Sequence, residues 1–369
     1  MFVQIELIWM LILLLYFGFD TVLYFSFFKI KSHPSPDFKF FPLSVIIAAK
    51  NEEVNLKENL TSILNQDYPD FEVIVVDDQS QDNTQHILKT FSKHHPHLKY
   101  LKVSPNISSS KKTALDLGIN SAQHNHLVFT DADCKPFSNK WLESISQDFS
   151  AQHTMILGFS PYQKKSGLLN QIIRFETLQT ALNYFSFANL GLAYMGVGRN
   201  LAYTKKLYQK TNGFESHKHV LSGDDDLFVN QVAQNYKIGL CLDRDSFVES
   251  KPKTDFKVWI NQKRRHITTA SHYRFTHKFL LSFQYLIRVL FWVLILPLTL
   301  YLEINSDYKL VFISSLFLLL IIKMWLNRKI FKILSSQDLW FSAYLYEIVL
   351  ICLHFYIFTQ NIFSPKKTW

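Results

Sequence analysis

Leu127-Val128-Phe129-Thr130-Asp131-Ala132-Asp133 is the stretch on which the fold turns. Its apolar run suits a strand buried on both faces, and two carboxylates one residue apart close it. Two similar runs precede it. Leu43–Ala49 is a continuous apolar stretch, and Phe71–Val76 ends in Asp77-Asp78. Between them, Val54, Leu56, Leu60, Ile63 and Leu64 recur at helical spacing. Asn83–Lys93 and Thr113–Gln123 read as further helices, and Leu98–Val103 as a short strand. Strands alternating with helices predict an α/β domain on a mostly parallel sheet. In open sheets of this kind ligands bind beyond the carboxyl ends of the strands. Ala48–Glu52, Asp77-Asp78 and Asp131–Asp133 all fall there, so three predicted strand ends converge on one crevice.

The residues in that crevice suggest its chemistry. Asp131 and Asp133 at a strand exit offer hard oxygen ligands to Mg²⁺ or Mn²⁺, with positions left open for phosphate and water. Capping of the next helix is the competing reading, and the two neighbouring acidic strand ends weigh against it. Asp77-Asp78-Gln79-Ser80-Gln81-Asp82-Asn83-Thr84 fits equally a helix-capping turn and a carboxylate that accepts hydrogen bonds from a uracil or ribose. Lys111, in Ser108-Ser109-Ser110-Lys111-Lys112, precedes a helix, where an anionic phosphate is favoured; a solvated charge is the alternative. Asp224-Asp225-Asp226 crowds three carboxylates, which raises the pKa of at least one and suits a general base; a surface acidic turn is the alternative. Gln262-Lys263-Arg264-Arg265-His266 reads either as a positive membrane flank or as a diphosphate clamp, since Arg meets phosphate oxygens with a two-pronged fork.

The rest of the chain places this domain at a membrane. Hydrophobic residues make up 48% of the 369, with 33 Phe, and the excess lies at the two ends. Ile5–Phe28 is apolar except for Glu6 and Asp20, and Lys29 and Lys31 follow it. A signal peptide has its positive charge before the apolar core, so this reads as an uncleaved spanning helix. Val289–Ile304, Leu310–Ile322 and Leu339–Thr359 are three further spans, with Phe275–Ile287 an interfacial helix leading into them. Arg288 and Glu347 are costly in hydrocarbon and are expected to face protein or an interface. Lysine and arginine near the span ends place residues 30–278 in the cytosol at the cell (inner) membrane, with the amino terminus outside. Lys366 and Lys367 then fall outside, against the trend. The net charge of +9 is explained by these flanks. It forms no stripe interleaved with aromatics, so nucleic acid is not an expected partner. Cys134, Cys241 and Cys352 have no paired spacing, which argues against a disulfide framework or structural zinc. Residues 167–198 read either as a buried helix with a glycine loop or as an element lying against the membrane.

Taken in order, these motifs resemble those of the family-two glycosyltransferases, the inverting group that includes the membrane-bound cellulose, chitin and hyaluronan synthases. The resemblance runs over residues 43–270. It rests on Val45-Ile-Ile-Ala-Ala-Lys-Asn51-Glu52-Glu53, the Asp77–Thr84 box, Asp131-Ala-Asp133, Gly213-Phe214 before Asp224-Asp225, and the Gln262-x-x-Arg265 box. It implies a GT-A fold, a Rossmann-like cytosolic domain at 43–270 that takes a nucleotide-sugar donor with Mg²⁺ or Mn²⁺. Residues 1–30 would be the first membrane helix, 31–42 a proline-stiffened linker, 271–288 the interfacial helix and 289–369 the remaining spans. By position, Ala48, Glu52, Asp78, Lys111 and Asp131 would line the nucleotide pocket, and Asp133 with Asp131 would hold the metal. Asp225 would be the general base supported by Asp224, and Gln262, Arg265 and His266 would hold the diphosphate. The sequence departs from the family where His266 replaces the usual Trp and Asp224 replaces the Glu of many members. About four spans are few for a polymer channel. The expected reaction is therefore transfer of a sugar to a membrane-associated lipid or glycan hydroxyl with a β-linkage. A processive β-polysaccharide synthase and a non-catalytic nucleotide-sugar-binding subunit are the rivals.

Overall fold

The computed structural model describes residues 2–30, 40–150, 152–220, 222–305 and 308–363. Pro34 and Pro36 of the linker, Lys31 and Lys39, and Lys366 with Lys367 lie outside them.

The central sheet has seven strands among the described residues, and three of them are the apolar runs read above. These are β1 (Leu43–Ala49), β2 (Phe71–Asp77) and β4 (His126–Asp131). With β3 (Leu98–Lys102) they form a parallel block in the order β3-β2-β1-β4. The runs are apolar throughout because both sheet faces are covered. Val45 and Ile47 join the core of one face; Ile46, Ile74 and Val76 join that of the other. Helices α2 (Glu53–Leu64), α3 (Thr84–His94) and α4 (Lys111–Ser121) make the crossovers. Beyond β4 lie two antiparallel pairings that the sequence reading left unresolved. β7 (Leu201–Thr204) runs antiparallel to β4 and to β6 (His153–Leu157), and β8 (Lys237–Leu240) closes the edge parallel to β6. A separate ribbon joins β5 (Cys134–Pro136) to β9 (Val248–Ser250). Short α5 (Trp141–Ser146) and α7 (Lys205–Lys210) cover the flanks.

Residues 167–198 take the first of the two readings offered for them, a buried helix with a glycine loop. α6 (Leu168–Asn189) is a helix buried along most of its length, followed by a glycine-containing loop. It lies along α1 (Phe2–Phe28), and polar groups stitch the two together. Ser26 Oγ donates to Ser186 O (2.9 Å), Ser186 Oγ to Leu23 O (2.8 Å), and Asn189 Nδ2 to Ser26 O (3.0 Å). Arg174 of α6 makes a two-pronged bond to Asp338 (2.8 and 2.7 Å).

Among the described residues four helices are long and apolar enough to cross a membrane: Gln4–Phe28, Phe275–Ile304, Lys309–Ile333 and Ala343–Phe363. Two boundaries differ from expectation. Phe275–Ile287 is no separate interfacial helix. It runs without a break into α10 (Phe275–Asn305), since nothing between them stops a helix before Pro297. The third span does not end at Ile322, because α11 (Lys309–Ile333) passes through Lys323. That lysine needs no stop, since the bundle neutralises it. Lys323 Nζ lies 2.6 Å from Asp20 Oδ2 and 3.2 Å from Glu347 Oε2 of α12 (Ala343–Phe363). Arg288 bridges the same two carboxylates, each at 3.3 Å. Arg288 and Glu347 thus face protein, as their cost in hydrocarbon requires, and each of the four helices contributes one charge.

Candidate active site

The crevice forms where the strand order reverses, between the parallel neighbours β1 and β4. Parallel register sets Ala49 beside Asp77 and Ala48 beside Asp131, so the predicted convergence of strand ends is physical. The loops after β1 and β2 lock each other. Asn51 N donates to Ser80 Oγ (2.9 Å), Glu53 N to Asp82 Oδ2 (3.1 Å), and Glu52 N to Thr84 Oγ1 (2.9 Å). Asn51 and Gln79 hold positive φ values, 56° and 59°, to make these turns. Most of the Asp77–Thr84 box is therefore loop architecture. Asp78 is different. It is buried, its Oδ2 accepts from Ser109 Oγ (2.8 Å), and its Oδ1 has no hydrogen-bond partner among the described residues. A buried carboxylate oxygen without a donor is suited to a ligand N–H or O–H.

Lys111 proves to be central. Ser110 caps α4 by accepting from Thr113 N (3.1 Å), which aims the first residue of the helix into the crevice. Lys111 Nζ lies 2.9 Å from Asp131 Oδ1 and 3.0 Å from Asp224 Oδ2, so it is an internal counter-ion rather than a solvated charge. Burial opposes ionisation of Asp131, but Lys111, with Arg199 and Arg265 behind it, outweighs burial and holds that carboxyl below its usual range. At Asp133 burial wins. Its carboxyl is pushed up first by burial and then by Asp131. Its polar contact among the described residues is the Cys134 thiol at 3.3 Å, while Arg199 and Lys253 act from farther off.

The three carboxylates of the third box point three ways. Asp224 is buried and turned to Lys111. Burial raises its pKa, Lys111 opposes this, and Asp225 and Asp131 add to the rise. Asp226, the first residue of α8 (Asp226–Val232), is turned the other way. Its Oδ2 accepts from Tyr273 OH (2.8 Å) and from Thr269 Oγ1. Burial, with Asp225 adding to it, pushes it up to about 7. Asp225 caps α8 and is the least buried of the three. Its Oδ1 accepts from Asp226 N and its Oδ2 from Gly198 N, both at 2.8 Å. Glycine leaves room for this close approach. A Cβ on residue 198 would stand 3.3 Å from Lys111 Nζ and 3.4 Å from an oxygen of each of Asp224 and Asp225.

The Gln262–His266 box lies on α9 (Phe256–Thr269), which also touches the end of the last long apolar helix. Arg265 is within Coulombic reach of Asp224, Asp225 and Asp131, and the Oε1 of Gln262, one turn earlier, has no hydrogen-bond partner among the described residues. Lys263 and Arg264 are structural, the former pairing with Glu176 (2.6 Å) and the latter bonding Asn361 Oδ1 (3.0 Å). His266 follows on the same helix with an exposed ring. Sequence reasoning missed Arg199. Its guanidinium stacks 4.2 Å over the Tyr162 ring near Asp131 and Asp133, and its Nη1 lacks a hydrogen-bond partner among the described residues. A lone Arg between two glycine turns and an apolar strand was the available signal.

No group of three or more His, Cys, Asp or Glu among the described residues can enclose a metal ion. The site nonetheless suits a divalent cation that arrives on a diphosphate. Mg²⁺ is commonly held by one or two carboxylates plus substrate phosphates. Asp133 and the second oxygen of Asp131 fit that donor set.

The comparisons agree with the geometry. Residues 44–210 match the family described as Glycosyl transferase family 2, and residues 138–327, more than half of the chain, match Glycosyl transferase family group 2. The chain belongs to glycosyltransferase family two. Among its relatives is the probable glycosyltransferase YdaM of Bacillus subtilis, 25% identical over 72% of this chain and 64% of the relative. Another is the poly-β-1,6-N-acetyl-D-glucosamine synthase of Staphylococcus epidermidis, 25% identical over 54% of this chain and 46% of that protein. The chain thus spans about half to two thirds of these relatives. The solved mannosyltransferase PcManGT from Pyrobaculum calidifontis, in complex with GDP-Man and Mn²⁺, superposes with a TM-score of 0.57 at 17% identity. The match covers 93% of this chain and 99% of that one. That likeness is one of fold, and the family-two domain here has the GT-A arrangement.

Proposed function

We propose that this glycosyltransferase moves a sugar from a nucleotide-diphosphate sugar to a hydroxyl of a membrane-associated lipid or glycan, with inversion. The observation that carries the reading is the division of labour among Asp224, Asp225 and Asp226. Asp224 is committed to Lys111 and Asp226 to Thr269 and Tyr273, while Asp225 keeps an accessible face. Two backbone N–H groups fix the Asp225 carboxylate, as a general base needs.

In the proposed reaction Asp225 takes the acceptor's hydroxyl proton as that oxygen attacks the anomeric carbon from the side opposite the nucleotide. An α-linked donor then gives a β-linked product. Arg265, Arg199 and Gln262 hold the departing diphosphate, and Lys111 follows Asp131 and Asp224 at its edge. The unpartnered Oδ1 of Asp78 accepts from the base or ribose. This favours a uridine imide, and Glu52 and Ala48 line the same end. A divalent cation bound by Asp133 and Asp131 supplies Lewis-acid neutralisation of the diphosphate, worth several kcal/mol in such sites. The four long apolar helices support placement in the cell membrane with the catalytic domain cytosolic, where nucleotide sugars are made.

The similarity to a poly-N-acetylglucosamine synthase favours one second reading, processive β-glycan synthesis. Product length on a membrane acceptor separates the two. The decisive measurement is nucleoside diphosphate release by the purified chain against a nucleotide-sugar panel, with Asp225→Asn and Asp133→Ala beside it. Full turnover by both variants sinks the assignment.

A further inference from the structure

Behind α9 lies a second polar space. A cavity of about 180 Å³ opens between α6, α10 and α12 within the helical bundle, with room for about six waters. A single helical face of α6 carries Glu176, Gln179, Thr180 and Asn183 into it, and α10 and α12 add Gln284, Arg288 and His354. Polar groups at this depth are expensive unless they have a task. Several have donors or acceptors to spare. His354 touches the Tyr285 ring and has no hydrogen-bond partner among the described residues. Gln179 uses its Oε1 on Arg288 (3.4 Å) and presents its amide N–H groups to the space. Lys263 of α9 pairs with Glu176 of its lining, and two residues further along the same helix Arg265 acts on the carboxylates of the crevice.

We infer that this cavity is an acceptor subsite that holds a neutral, hydroxyl-bearing portion of the membrane acceptor, between its reacting hydroxyl and its apolar chains. The inference rests on the sugar-transfer reading above and adds the chemical class of its acceptor. Charge decides the class. A phosphate head group needs an unpaired cation. Arg288 is already met by Asp20 and Glu347, and Lys263 by Glu176, so the cavity holds no surplus positive charge. The Gln179 amide and the His354 imidazole remain, groups that pair with sugar or glycerol hydroxyls.

The test uses the full chain in lipid nanodiscs with the nucleotide sugar that the donor panel identifies. Diacylglycerol, a glycosyl diacylglycerol and a polyprenyl phosphate are offered separately as acceptors. The neutral lipids should accept the sugar and the phosphate should not. Gln179→Leu and His354→Leu should each raise the acceptor KM by about tenfold, the loss of one well-placed hydrogen bond, with the donor KM in place. Gln179→Asn, which keeps the amide, should recover part of that loss. Preference for the phosphate lipid overturns the inference, as does an acceptor KM that stays fixed or moves together with the donor KM. Absence of any donor turnover by the unmodified chain instead overturns the transfer reading itself.

Discussion

Two clusters of buried charge stand in this chain, and they are built on opposite principles. Within the bundle Asp20 and Glu347 meet Arg288 and Lys323, two anions against two cations, each in contact with both partners. In the crevice Asp131, Asp133, Asp224 and Asp225 gather around Lys111, Arg199 and Arg265, and Asp133 makes no close ionic contact among the described residues. A balanced set closes on itself and ties helices together. A set with spare negative charge is completed by something that comes and goes. The first is architecture; the second, on the function proposed above, is where a cation riding on a diphosphate would be received.

The contrast can be broken most sharply at Asp225. Asn at this position should lower kcat by about a thousandfold, within the usual range for a lost general base, with donor binding kept in a calorimetric titration. Asp133→Ala should raise the divalent metal concentration for half-maximal turnover by roughly 100-fold and leave thermal stability nearly unchanged. Lys323→Met should do the reverse. It strands two carboxylates and should cost about 3 kcal/mol in detergent-solubilised unfolding. Lys323→Met paired with Glu347→Gln should cost less than the single change, and an equal or larger cost would refute the balanced-set view. Gly198→Ala should cost about tenfold in kcat by pushing the backbone N–H away from Asp225, a loss on the scale of one hydrogen bond. A pH effect concerns Asp226. Its carboxyl is raised to about 7 in the fold, so the folded state holds a proton that the unfolded chain releases near pH 4. Its stabilisation is present below pH 4 and is lost as pH rises toward 7. Asp226→Asn should flatten the thermal midpoint across that window.

Much of this was legible in the residues. Doubly covered strands write themselves as apolar runs, and acidic residues at their exits are hard to explain otherwise, so β1, β2, β4 and their crevice could be read directly. The antiparallel strands β6 and β7 were less so. At four and five residues they are too short for a period to declare itself, and partner choice there is a matter of tertiary packing. Charge misled in the long apolar helices, since Lys323 looks like a helix end until its partners on two other helices are known. Composition alone left the three adjacent aspartates interchangeable. Burial, Gly198 and Tyr273 distinguish them, and all three act from elsewhere in the chain. The Asp77–Thr84 box mixed two kinds of residue that spacing does not separate: Ser80 and Asp82 fasten loops, while Asp78 keeps one carboxylate oxygen without a hydrogen-bond partner among the described residues.

The seam between α1 and α6 has a mechanical consequence. Hydroxyl and amide bonds from Ser26, Ser186 and Asn189 fasten a helix of the catalytic domain directly to the first membrane-crossing helix, and Arg174 grips Asp338 farther along. The crevice therefore cannot ride up and down on a flexible tether. With the membrane placement proposed above, its height above the bilayer would be set like the throat of a gauge, and substrates of the wrong reach would be refused before any chemistry begins.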